Sequence, residues 1–498
     1  MKTKFYIPIL LLNINLIYSY VVLPINILPK ENYLTSPEMS QTQKFISQEF
    51  ESGFYTKMEL GTPEQEIPLL IKPKSYGLFV SSNTPVEISN INYKNKILYN
   101  FTDGFLTFFN ETKSKSFEQK NCKINKIEEY ESMPPAEEIC SAYDNLLFYD
   151  NINLKIKKKI YNMYFDIGRN VKDNITGFIG LSLYDEGLRN SSSFLSILKS
   201  NKMIDDYCWY LDLNSKDSTK GNIVIGSLPH QINNSTEYSK KELVYAKSHQ
   251  GTELVFWEMK FDKIFFIDKS TKITYENETV EFNFGSNVII GTYSYKNYLN
   301  SALSDLIKEQ KCFMDVFKGY DEYYEFSSDY EYFYCKYDID TKKKLNELIT
   351  SISFYSSELH DTFELTNEQL LKEEDIYLFI QIIFSKYANK WVLGRPMLSK
   401  YQFVFNPYLR KIGFYSDIKE GKEGPIENKE EDNNDTMYRI FIIIPLIIYL
   451  CIGPIIVGSK KIWGKNKNEI NDDDYKNIDD KNNIDNNNKI DIENKEIN

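Results

Sequence analysis

Histidine, the side chain most often used for proton transfer, is scarce in this chain. The three histidines, His230, His249 and His360, are isolated, and none stands beside a serine or cysteine in a nucleophile motif. A Ser–His or Cys–His relay therefore has no visible starting point, and lone histidines of this kind are usually structural or solvated. Six cysteines form no Cys-x-x-Cys pair and no cluster with histidine, so no metal or cofactor is expected. Cys122 and Cys140 lie close together, as do Cys312 and Cys335, which reads as two local disulfides of an oxidising compartment. Cys208, inside the apolar run Tyr207-Cys208-Trp209-Tyr210, is expected to be a buried free thiol. Lys72 closes the apolar run Ile67 to Ile71. A desolvated lysine there could act as a base or form an imine, but a lysine reaching a carboxylate or solvent is the plainer expectation.

The elements that would have to position such groups are mostly strands. From Phe54 to Tyr415 the chain alternates short apolar and β-branched runs with Asn, Gly, Asp, Lys and Ser clusters. Helical patches are few: Phe194 to Lys199, Tyr295 to Glu309, and a short piece near Glu368 to Lys372. With 498 residues, 42% of them hydrophobic, the chain can bury a large core, and its 38 Tyr and 32 Phe favour β structure. The net charge of −12 is spread along the sequence without a dense basic block, which argues against nucleic acid as a partner.

Several segments, in order, resemble pepsin-like aspartic proteases. Phe54 to Ile71, with the turn Gly61-Thr62-Pro63, is similar to the strand, turn and strand that lead into that family's first catalytic loop. Gly177-Phe178-Ile179-Gly180-Leu181 is similar to the strand crossing behind that loop. Trp209 to Leu213 and Gly221 to Gly226 look like its glycine-bounded hairpin, and Trp257 to Ile264 like the opening strand of the second lobe. Trp391-Val392-Leu393-Gly394, Tyr401 to Asn406 and Lys411 to Phe414 resemble the closing strands, and Cys312 and Cys335 fall where the second lobe commonly has a disulfide. The resemblance implies an all-β fold: a bilobal pepsin-like double-psi β-barrel with a few short helices.

At both catalytic loops the same resemblance implies a loss. The register that should give Asp-Thr-Gly-Ser gives Lys72-Pro73-Lys74-Ser75, and the second loop gives Asn283-Phe284-Gly285-Ser286. A slip of the second loop onto Gly291-Thr292 would put Ile289 at the acidic position, so it restores no acid. Aspartic proteolysis needs two carboxylates that share one proton across a water. A lysine ammonium offers no acceptor, and an asparagine does not ionise. The Thr or Ser that cross-links the two loops in the family becomes Pro73 and Phe284, and Lys74 replaces a conformationally free Gly. Lys72, Ser75, Phe101, Asn283, Gly285 and Ser286 are the cleft candidates, Phe101 standing where a flap tyrosine is expected in Asn100-Phe101-Thr102-Asp103-Gly104. A zymogen-type inhibitory segment looks absent or reduced, with Val21 to Ile25 persisting as an edge strand.

The ends of the chain suggest a membrane setting. Lys2 and Lys4 followed by the apolar run Phe5 to Ile17 read as a secretory signal peptide over 1–20. Ile440 to Gly458 carries no charge and is long enough to span a bilayer; Lys460, Lys461, Lys465 and Lys467 follow it, placing the C-terminus on the cytosolic side. The expected layout is a reduced pro-like segment 21–53, an N-terminal lobe 54–245, a C-terminal lobe 246–417, a stalk 418–438, one transmembrane helix 439–458 and a disordered cytosolic tail 459–498. Glycosylation acceptors at Asn100, Asn110, Asn174, Asn190, Asn233, Asn234, Asn277 and Asn434 all precede the span. The chain thus reads as a monomeric type I, single-pass protein of the secretory pathway or cell surface. Its expected role is to bind a peptide or protein without hydrolysing it. The competing readings are an active aspartic-type endopeptidase with an atypical site and a structural or adhesive glycoprotein that uses the fold as a scaffold.

Overall fold

The apolar run from Ile67 to Ile71 is buried along its whole length, as a strand flanked on both sides must be. Its strand, Gln65–Lys72, pairs antiparallel with Phe54–Leu60 and parallel with Gly177–Leu181. These strands lie at the centre of the first of two sheets in the computed structural model, which describes residues 19–27, 39–73, 75–82, 108–124, 136–149, 157–171, 176–183, 193–214, 217–232, 238–248, 256–268, 271–321, 326–349, 351–386, 388 and 390–417. Among the described residues the first sheet has 13 strands and the second 10. The protein is mostly β with short helices, in keeping with a pepsin-like fold.

The two sheets repeat one device. In the first, Gln65–Lys72 runs parallel to Gly177–Leu181 while Tyr76–Ser81 runs antiparallel to that same strand. In the second, Thr271–Phe282 runs parallel to Trp391–Leu393 while Ile289–Gly291 runs antiparallel to it. Each pair of strands is therefore joined by a loop across the end of the shared strand. The registers match as well: Ile71 faces Ile179 and Phe79 faces Phe178, just as Phe282 faces Leu393 and Ile290 faces Val392. Lys72 and Asn283, one residue beyond Ile71 and Phe282, thus stand at equivalent points of the two halves.

The last strands, Val404–Asn406 and Lys411–Asp417, return to the first sheet, between Trp209–Asn214 and Lys241–Lys247. Phe405 thereby stacks on Trp209 at 4.4 Å between ring centroids and meets Trp257 edge-on at 5.0 Å. The Trp257 indole donates to the Leu181 carbonyl at 2.8 Å, which ties the opening strand of the second sheet to the first. A buried indole donor needs such a partner.

The N-terminal segment departs from expectation. Val21–Ile27 is not an edge strand: it pairs with Asp217–Ile225 on one side and, through Asn26 and Ile27, with Phe54–Leu60 on the other. Its alternating buried residues Val21, Leu23 and Ile25 put one face of the strand into the core. Next comes an unanticipated helix, Gln41–Glu51, opened by a reciprocal Ser40–Gln43 capping box. Its Phe45 and Phe50 pack on Phe379, Phe317 and Tyr330 of the second sheet.

Helices appear near the expected places as Phe194–Ser200, Tyr293–Ala302 with Ser304–Lys308, and Asn367–Leu370; Ile339–Leu348 was not foreseen. Both expected disulfides are present, and Cys208 is a buried free thiol. No helix among the described residues is long and apolar enough to cross a membrane. The segments read as signal peptide, stalk, span and tail lie almost wholly outside the described residues.

Candidate functional site

The first loop begins at the end of Gln65–Lys72. Lys72 is half-buried, with its ammonium 5.6 Å from the Phe178 ring centroid. Pro73 and Ser75 are buried, and the Ser75 carbonyl accepts from the Ser182 N–H at 3.0 Å. Gly77 has φ +74°, a left-handed value open to glycine without strain.

The second loop, 283–288, is held more fully. The Asn283 N–H donates to the Leu393 carbonyl at 2.9 Å, extending the parallel ladder by one bond. Its Oδ1 accepts from the Gly285 N–H at 3.0 Å, an Asx turn that shapes the loop from within. Ser286 is buried and shares 3.2 Å contacts between its hydroxyl and the backbone of Val288, while its carbonyl accepts from the Arg395 N–H at 2.8 Å. Gly394 lies so close beneath that an added Cβ would sit 2.3 Å from the Val288 carbonyl oxygen and 2.5 Å from that of Ser286.

Phe284 points away from this polar web. It is 1% exposed and meets Trp209 and Phe405 edge-on, each at 4.9 Å. The loop is thus anchored in the aromatic cluster that joins the two sheets.

Two buried charge clusters flank the second loop. On one side the helix Gln41–Glu51 reaches it through Glu49: the Asn287 N–H donates to the Glu49 carbonyl at 2.8 Å, and the Asn287 amide donates to the Glu49 carboxylate. Lys372 pairs with that carboxylate at 2.9 Å, and the Arg395 guanidinium donates to the Ser52 hydroxyl. Burial alone would raise the Glu49 carboxyl pKa, but Lys372, the Asn287 hydrogen bond and Arg395 together hold it below the ordinary value. On the other side Glu281, two residues before Asn283, lies directly opposite Glu258 on the neighbouring strand. Lys390 bridges them, 2.9 Å from Glu281 and bonded to Glu258. Burial pulls the Lys390 pKa down, yet the two carboxylates raise it overall.

Of the residues expected at the site, the structure brings Lys72, Ser75, Asn283, Gly285 and Ser286 to the two equivalent crossings, whereas Phe101 lies outside the described residues. Asn110 is exposed and caps the turn Glu111–Lys113 with its own carbonyl; Asn277 is exposed at φ +59°. Asn100, Asn174, Asn190, Asn233, Asn234 and Asn434 lie outside the described residues. His230 bonds the Tyr415 hydroxyl at 2.6 Å. Among the described residues no group of three or more His, Cys, Asp or Glu is placed to hold a metal ion. Sequence reasoning missed Glu49, Asn287, Lys372 and Arg395. The one readable signal for them was the capping box at Ser40 and Gln43, which announces the helix that carries Glu49.

Comparison with known families gives a match to the eukaryotic aspartyl protease model over residues 53–416. Comparison with curated proteins gives no match.

Proposed function

The chain belongs to the eukaryotic aspartyl protease family, and from that premise we propose that it is a member without proteolytic activity, displayed on a membrane of the secretory pathway or cell surface, that binds a peptide or protein ligand at the junction of its two halves. The observation that carries this reading is the repeated crossing. Lys72 and Asn283 occupy equivalent register points, and these are the points where the family resemblance calls for the acidic pair. One is a cation and the other an amide, so the shared proton of aspartic proteolysis has no carboxylate to sit on.

Changes around the two positions support the same reading. A hydroxyl that would cross-link the loops is replaced by Phe284, whose ring serves the aromatic cluster instead, and Pro73 brings no N–H donor. Asn283 spends its carbonyl on the Gly285 N–H. Extended peptides can still be held between two β halves by backbone bonds without hydrolysis.

The test is direct. Purified full-length protein incubated with a broad peptide library at acid pH is expected to cleave nothing, and the Lys72→Asp/Asn283→Asp double variant is expected to remain inactive because Pro73 and Phe284 persist. Cleavage by the unaltered protein that a statine inhibitor blocks would overturn the proposal. A photo-cross-linker introduced beside Lys72 separates binding from scaffolding: capture of one defined peptide supports a ligand groove. Failure to capture any peptide would favour the scaffold reading.

A further inference from the structure

The two disulfides share one topology and differ in their surroundings. Cys122 and Cys140 are direct partners across the antiparallel strands Glu118–Ile124 and Ala136–Tyr149, and Cys312 and Cys335 are direct partners across Cys312–Asp321 and Phe326–Lys336. In both cases the first strand is the last of its sheet. Each disulfide therefore staples an edge strand to a single neighbouring strand.

The second staple is redundant. Cys312 and Cys335 are 1% and 0% exposed, so an attacking thiolate has no access to either sulfur. Their edge strand is also covered by the helix Gln41–Glu51: Gln43 donates to the Val316 carbonyl at 2.8 Å, and Phe50 packs on Phe317 at 5.8 Å. Packing would hold this strand with the disulfide open.

The first staple lacks that cover. Every residue from Glu118 to Cys122 is exposed, and the pairing register slips between Gln119 and Cys122, which removes ladder bonds next to the cysteine. Exposed ion pairs and side-chain bonds, Lys120 with Glu118 and Arg169 with Gln119, contribute little. Cys122 is exposed whereas Cys140 is fully buried. A strand whose residues 118–122 bury no side chain sits there at the low end of local stability, and the covalent bond holds that stretch in register.

We propose that Cys122–Cys140 is a thiol–disulfide exchange site, acted on by a dithiol reductant of the thioredoxin type, whose opening releases the strand Glu118–Ile124 from its sheet. One thiolate of the dithiol attacks the exposed Cys122 sulfur, forming a mixed disulfide and expelling the Cys140 thiolate. The second thiolate of the dithiol then attacks the dithiol sulfur bonded to Cys122, breaking the mixed disulfide and releasing the Cys122 thiolate. The dithiol is oxidised to a cyclic disulfide, its two protons pass to the two cysteines, and the protein disulfide is reduced. Release bares the hydrogen-bonding edge of Ala136–Tyr149 to an incoming extended chain. None of this depends on whether the loops at Lys72 and Asn283 bind or cut a ligand.

The experiment titrates folded full-length protein with dithiothreitol, traps free thiols with N-ethylmaleimide, and reads labelled peptides and amide hydrogen exchange by mass spectrometry. Cys122 and Cys140 are expected to label at least about tenfold faster than Cys312 and Cys335, and exchange is expected to rise over 118–124 and 136–143 but not over 312–321. The Cys122→Ser/Cys140→Ser variant should show that raised exchange without reductant; should it fail to fold, the reduced native protein still gives the reading. The proposal is overturned if both disulfides open in step, if Cys312–Cys335 opens first, or if Cys122–Cys140 opens without raising exchange in its strands.

Discussion

The ring of Phe284 gives the most quantitative test of how the second loop is held. It is 1% exposed and contacts Trp209 and Phe405 edge-on at 4.9 Å, so truncation removes both its burial and two ring pairs. Phe284→Ala should cost about 3–5 kcal/mol, the usual range for deleting a buried phenyl group. Phe284→Leu keeps most of the volume and loses chiefly the ring geometry, at about 0.5–1.5 kcal/mol per pair, so about 1–3 kcal/mol in all. Urea unfolding of the full-length protein followed by tryptophan fluorescence is the assay, since Trp209 lies against the mutated ring and Trp257 next to Trp209. A double-mutant cycle with Phe405→Leu isolates one pair and should return a coupling of about 0.5–1.5 kcal/mol. If Phe284→Ala left the midpoint within about 0.5 kcal/mol of the unaltered protein, as a surface change would, the claim that this side chain joins the sheets would be wrong.

Three further outcomes can be measured on the same protein. Glu49 has its native pKa held below the ordinary 4.5, so its contribution is full above that pH and fades as pH falls through the lowered value. Glu49→Gln should therefore cost about 3 kcal/mol at pH 7, a cost that declines as pH falls through the lowered native value, read from unfolding curves at successive pH. Lys390→Met leaves Glu258 and Glu281 facing each other in the interior and should cost about 3–5 kcal/mol at pH 7. A loss below about 1 kcal/mol, the range of an exposed pair, would refute the bridging role. Gly394→Ala would drive a methyl into the Ser286 and Val288 carbonyls and should cost about 1–3 kcal/mol or more, with perturbed amide resonances in 283–288 as its signature.

Much of the framework was legible because it rests on local rules. Ile67 to Ile71 had to be a buried strand, and Gly177 to Leu181 carried the glycines that a crossing needs. The loop at Asn283 could be placed because the family resemblance calls for a helix after it, and the helical patch from Tyr295 stands there, close to the observed Tyr293–Ala302. The N-terminal segment was harder to read. Val21–Ile27 looked like an edge because nothing local says that its second neighbour, Phe54–Leu60, arrives after an intervening helix. The buried partnership of Glu49, Lys372, Asn287 and Arg395 joins positions up to 346 residues apart, and no periodicity records such a pairing. Return of Val404–Asn406 and Lys411–Asp417 to the first sheet is likewise a tertiary choice, fixed by the fit of Phe405 against Trp209 rather than by strand propensity.

On the reading proposed above, this fold has outlasted its chemistry. A crossing loop is specified by the strands on either side and by the small residue beneath it: Gly394 admits the Ser286 and Val288 carbonyls, and the parallel bond from Asn283 to Leu393 uses only backbone atoms. Neither requirement involves the Lys72 side chain, and the Asx turn that Asn283 makes to the Gly285 N–H needs only a side-chain oxygen, which an aspartate would also offer. On that reading, exchanging the acids costs the framework little, and a supporting position can be taken over for packing, as the contacts of Phe284 with Trp209 and Phe405 illustrate. Once that ring is part of the core, restoring an acid at Asn283 alone no longer restores the neighbourhood a catalytic pair needs. On the reading proposed here, inactivity is maintained by stability: reversal would have to pass through variants that lose the Phe284 packing before any activity could compensate.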